Sequence, residues 1–78
     1  MKIQIEKAGN NNHYTVSVIV KSGKIAKHTI IGKIYAVDNY FVLMSENKPE
    51  HVLTNISDMD NIMLKRFKVR PTYVNILF

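Results

Sequence analysis

The 78-residue chain has no cysteine and no tryptophan, only two prolines and three glycines, and just six acidic residues. Without thiols there is neither a disulfide nor a thiolate metal site. Glycines spread over positions 9, 23 and 32 do not form a phosphate loop, which needs them within a few residues of one another. No apolar run is long enough for a membrane span or a signal peptide, so no membrane association and a cytoplasmic location are expected. A chain this short hides only about 60–65% of the surface its unfolded form exposes. Disulfides and thiolate sites being absent, self-association is the remaining way to bury more, and a homo-oligomer is expected.

Catalytic and metal-binding arrangements are missing too. His13, His28 and His51 lie far apart without ligand spacing. Asp58-Met59-Asp60 is an acid-x-acid pair of the kind that holds a metal with a phosphate, but a short acidic turn is more often simply solvated. Ser57, His51 and Asp58 crowd one stretch with no nucleophile elbow around the serine. We therefore expect no catalytic residues, no metal, no cofactor and no enzyme.

What is present is positive charge and β-forming sequence. The net charge is +5 with a pI near 9.6, compatible with a polyanionic partner or with a merely solvated surface. Residues 1–33 carry six lysines against Glu6, and residues 65–78 carry Lys65, Arg66, Lys68 and Arg70 with no acid. Between them lie Asp38, Glu46, Glu50, Asp58 and Asp60 against Lys48 alone.

Lys2–Glu6 alternates, placing Ile3 and Ile5 toward a core. After a loop at Ala8–Asn12, His13–Lys21 alternates again, with Tyr14, Val16, Val18 and Val20 on one face; Ile19, on the other, points to partial cover there. Lys21-Ser22-Gly23-Lys24 is a hairpin signal. The run Ile25–Val37 is too long for an average strand and is broken by Gly32, which marks a bulge or sharp bend, or else two strands joined by a kink. Asp38-Asn39 reverses the chain into Tyr40–Met44, apolar on both faces and so expected to be the most buried strand. His51–Thr54 reads as a short strand, and Ile56–Met59 as one helical turn capped by Asn55 or Ser57. Beyond it a strand at Asn61–Phe67 is preferred; the rival is a helix over Ser57–Phe67, with Met59, Ile62, Met63 and Arg66 at helical spacing. The tail Arg70–Phe78 should dock as an edge strand or cover an open end. These elements predict one mostly β domain over residues 1–78. Its expected form is a small, strongly bent, five- to six-stranded antiparallel barrel with at most one short helical turn, its interior lined by Val18, Val37 and Leu43.

Val16-Ser17-Val18, Gly23, Gly32, Ile34, Val37-Asp38, Tyr40 and Leu43 together resemble the first motif of the Sm-like family, in its bacterial Hfq-type form. Val52–Ser57 is a fainter echo of the second motif, and the likeness spans about residues 14–66. The chain departs from the pattern in the longer stretch between Gly23 and Gly32, in a strand where the family has an N-terminal helix, and in Leu53-Thr54-Asn55 where Hfq proteins carry a Lys-His pair. Much of the likeness is shared with any bent barrel of SH3-like type. The resemblance implies a ring in which His51–Thr54 pairs with Asn61–Phe67 of the neighbouring copy. It also implies single-stranded RNA held near Asn39-Tyr40 and Thr54-Asn55, with Tyr40 stacking a base. Against that stands Tyr40 as ordinary core packing and Asn39 as a turn residue.

The leading functional expectation is nucleic-acid binding, with single-stranded RNA preferred, by Lys24, Lys27, Lys33, Asn39, Tyr40, Thr54, Asn55, Lys65, Arg66, Lys68 and Arg70. The alternative is a small protein-interaction module or inhibitor of phage or mobile-element type, acting through exposed edge strands without nucleic acid. A pocket for a small anionic ligand is a third reading, with lysines and tyrosines but no defining motif.

Overall fold

A computed structural model describes residues 1–9 and 12–76; Asn10 and Asn11 of the first expected loop, and Leu77 and Phe78 of the expected docking tail, lie outside them. Five strands run as a meander: β1 (Lys2–Lys7), β2 (His13–Ser22), β3 (Ile25–Val37), β4 (Tyr40–Ser45) and β5 (His51–Leu53). Each is antiparallel to the one before. The chain then makes a 3-10 turn at Ile56–Asp58, continues directly into helix α1 (Met59–Phe67), and returns as β6 (Thr72–Val74). β6 lies beside β1 and parallel to it, giving a mixed sheet in the order β5-β4-β3-β2-β1-β6.

The sheet is open, which corrects the expected antiparallel barrel. A barrel would join the first and last strands of that order, but β5 and β6 are edges of three residues each. The segment expected to supply a further strand, Asn61–Phe67, is helical. That outcome follows from the residues. Met59, Ile62, Met63 and Phe67 recur at helical spacing, with Met59 and Met63 buried and Ile62 and Phe67 packed against them. Methionine, leucine, lysine and arginine also favour helix over strand. Asp60 in the first turn and Lys65 and Arg66 in the last match the helix dipole. The Asp58 carboxylate accepts hydrogen bonds from the backbone N–H groups of Thr54 and Asn55, at 3.1 and 3.0 Å, fixing the entry. The exit is Lys68, in the left-handed region at φ 64°, whose N–H donates to the Leu64 carbonyl at 3.0 Å. With that strand gone, the ring pairing of His51–Thr54 against Asn61–Phe67 has no structural basis.

Among the described residues, the helix covers one face of the sheet, and on the other face Ile19 is buried off the core. Ile3, Ile5, Val16, Ile34 and Leu43 project from the helix-covered face and form the core with Leu53, Ile56, Met59 and Met63. Val37 instead lies on the open face, more than a third exposed. Tyr40–Met44 is likewise not the most buried strand: Leu43 is buried, while Tyr40 and Met44 stand exposed on the open side.

Gly32 does mark a bulge, without curling the sheet. Val16 pairs with Gly32 but Ser17 pairs with Ile30, so Ile31 is the extra residue. A Cβ on Gly32 would sit 3.0 Å from the Met44 carbonyl oxygen and 3.4 Å from Ser45 Cβ. The residue is therefore fixed by the close approach of β4. Past this point β3 has no β4 partner, and past Ile19 β2 has no β1 partner. The two strands continue alone as a ribbon, closed by a two-residue loop in which Gly23 has φ 64°. Every residue from Val20 to Ile30 is exposed, and the molecule measures 42 × 27 × 23 Å.

Candidate nucleic-acid interface

Strand directions decide where the charge goes. β2 runs toward the ribbon and β1 and β6 start on that side, as does the β4–β5 turn that follows Ser45. The last turn of α1 also ends there, since Met63, Arg66 and Phe67 share a groove with Thr29–Gly32 and Ser45–Lys48. Nine of the eleven basic residues thus collect at the ribbon end: Lys2, Lys21, Lys24, Lys27, Lys48, Lys65, Arg66, Lys68 and Arg70. The acids at this end are Glu46 and Glu50. Asp38 in the β3–β4 turn and Asp58 and Asp60 at the start of α1 lie at the opposite end. Two blocks that are far apart in sequence become one cationic pole.

The expected site residues therefore split into two groups. Lys24, Lys27, Lys65, Arg66, Lys68 and Arg70 are brought together at the ribbon end. Asn39, Tyr40, Thr54 and Asn55 are brought together at the other, because Val37 pairs with Tyr40 and Phe41 with Leu53. Tyr40 is more than a third exposed, so it is not core packing. Its surroundings nevertheless include Asp38 and the Asp58 carboxylate that binds the Thr54 and Asn55 N–H groups. Lys33 belongs to neither group; it sits mid-sheet on the open face, between Thr15 and Met44.

The groove beneath the ribbon has a volume of about 350 Å³. Val16, Ile31, Leu43, Met63 and Phe67 supply its apolar lining, Arg66 and Lys48 bring positive charge to it, and Glu46 a negative one. Ser45 also lines it, and its Oγ is buried with no hydrogen-bond partner. Sequence reasoning missed Lys48 and Ser45 as contributors. Nothing in the sequence pointed to Ser45.

At the other end the Tyr73 hydroxyl donates to Asp60, tying β6 to the first turn of α1. Burial pushes the Tyr73 hydroxyl pKa up, and the Asp60 hydrogen bond and the charges of Asp60 and Asp58 push it further. Among the described residues there is no cluster of three or more His, Asp or Glu side chains able to hold a metal. No helix among them is long and apolar enough to cross a membrane.

Fold and charge define a class: an open six-stranded mixed sheet with one helix on one face and a basic β-ribbon projecting from it. Searches against protein-family models, curated proteins and solved structures found no match to this chain.

Proposed function

We propose that the chain binds nucleic acid through its ribbon end, with the phosphate backbone as the principal contact. The observation that carries this reading is the gathering of Lys21, Lys24 and Lys27 of the ribbon with Lys65, Arg66, Lys68 and Arg70 at one pole. Such a pole attracts a polyanion and releases its counterions on binding. A free two-stranded ribbon has the width the major groove of B-form DNA admits, whereas the major groove of A-form RNA is too narrow for side chains to read. Duplex DNA is therefore the ligand that suits the ribbon, ahead of the single-stranded RNA suggested by Tyr40 and its neighbours. Those residues stand apart from the cations and beside carboxylates, which disfavours a phosphate there.

The protein-module alternative loses support from the edges of the body, because three-residue edge strands offer little to pair with. The test is a fluorescence-anisotropy titration of duplex DNA and single-stranded RNA over a range of salt. We expect a tighter duplex complex, with log Kd rising linearly against log salt. Changing both Lys24 and Lys27 to Gln should lower the slope by about 2 and weaken every sequence alike. Absence of binding to either polymer at low salt would remove the proposal.

A further inference from the structure

The face of the sheet opposite the helix divides into two halves. Across β1 and β2 it carries Lys2, Gln4, Glu6, His13, Thr15 and Ser17, a mainly polar surface in which Ile19 is the one buried apolar side chain. Across β3, β4 and β5 it carries Ile30, Tyr35, Val37, Tyr40, Met44 and Val52, all exposed, Ile30 by 62% and Val52 by 64%. These side chains are cross-strand neighbours: Val37 pairs with Tyr40, and Val42, between Tyr35 and Val52, pairs with both. Their exposed area is on the order of 500–600 Å² per copy, the upper end of what a monomer leaves in water. With its polar rim it approaches the roughly 800 Å² per partner of a stable complex.

We infer that this half-face is the contact between two copies of the chain, packed sheet against sheet with their strands antiparallel. Two features of the molecule select a second copy and that orientation. The first is charge. Each molecule is positive at its ribbon end and negative at the other, so two copies related by a two-fold axis across the strands set unlike poles side by side. The same axis through Tyr35 and Val42 exchanges position 33 with 37 and position 44 with 40. It therefore brings Lys33, which lies among these apolar side chains, toward Asp38 of the second copy. A two-fold axis along the strands would keep the strand direction and set like poles side by side.

The second feature is shape. A hollow of about 240 Å³ lies on this face between Ile30, Tyr35 and Met44, with Lys33 and Glu46 also at its wall, and Tyr40 is the exposed aromatic at the other end of the half-face. The exchange of 44 with 40 sets each Tyr40 over the other copy's hollow. The contact is isologous, so it closes at two copies. The β1–β2 half stays outside it, and the two ribbons point in opposite directions.

The test is sedimentation velocity on nucleic-acid-free protein, which reads this interface independently of DNA binding. We expect a dimer that dissociates on dilution. Met44→Lys and Val52→Lys should each give monomer with unchanged circular dichroism and melting temperature, since both side chains are exposed in the single chain. Lys33→Asp and Asp38→Lys should each weaken the dimer by roughly fivefold or more, and the two together should restore it. A monomer at about 100 µM, a range where even weak specific dimers form, would overturn the inference and leave the face to a different protein. A dimer that survives Met44→Lys, or a charge swap that fails to restore, would overturn it as well.

Discussion

The body and the ribbon are made from the same kind of sequence and reach opposite ends. In the body, Ile3, Ile5 and Ile34 are shielded from water by α1. In the ribbon, Ile25 is 73% exposed and Val20 half exposed, on strands of equally regular alternation. What separates them is cover. The helix has nine residues and spans only the body, and neither β1 nor β4 extends to flank the ribbon. Burial of apolar area stabilises the body, while the ribbon holds only its own ladder of backbone hydrogen bonds. A two-stranded hairpin of that kind is marginal in water, so it persists because β2 and β3 are anchored in the sheet.

The largest test of this contrast is truncation in the body. Met59→Ala should cost about 2–5 kcal/mol, because a fully buried methionine leaves a cavity; urea denaturation followed by circular dichroism measures it. Next comes the junction. Gly32→Ala would force a methyl group against the Met44 carbonyl and should cost about 1–3 kcal/mol. In amide exchange it should loosen β4 near Ser45 more than the ribbon itself.

Smaller again is Tyr73→Phe, which removes the bond to Asp60 and should cost about 1 kcal/mol. Its pH signature sharpens the assignment. The folded pKa of Tyr73 lies above its ordinary 10.0, so the folded state favours the protonated hydroxyl. That contribution is complete below pH 10 and is lost as pH climbs from there toward the folded value. The Tyr73→Phe variant should lack this alkaline decline in a melting series that otherwise matches. Smallest of all is Ile25→Ala at the ribbon tip, which should change stability by less than about 0.5 kcal/mol. A loss as large as that of Met59→Ala would mean the ribbon is covered in the single chain and would break the contrast.

Strand positions are legible in the sequence because alternation and turn residues both report them. Ile3 and Ile5 face the core, Gly23 and Asp38 take positive φ at the two reversals, and Ile19 is buried off the main core, each as the pattern requires. Residues 61–67 are ambiguous, since a short apolar run with lysine and arginine satisfies a strand pattern as well as a helix. The sheet settles the competition, because it needs cover that a further strand would not give. Gly32 misleads about closure: a glycine in a long strand signals a close approach, but sequence does not say whether the approach bends a sheet or only admits a neighbouring carbonyl. Of the site, the cations are readable as residues but not as a cluster. Lys24 and Arg66 come to the same end of the molecule only because α1 ends where the ribbon begins, a fact of topology.

The pairing of β6 with β1 has a consequence for how the chain reaches this state. Gln4, Ile5 and Glu6 meet Thr72, Tyr73 and Val74, partners separated by most of the sequence, whereas the meander is built from neighbours. Loop closure across such a span is slow compared with a hairpin. The meander can therefore assemble early, during synthesis, while the parallel edge waits for the residues of β6 to leave the ribosome. Until then the β1 edge stays open, and that strand is where a stalled or truncated chain would first adhere to another.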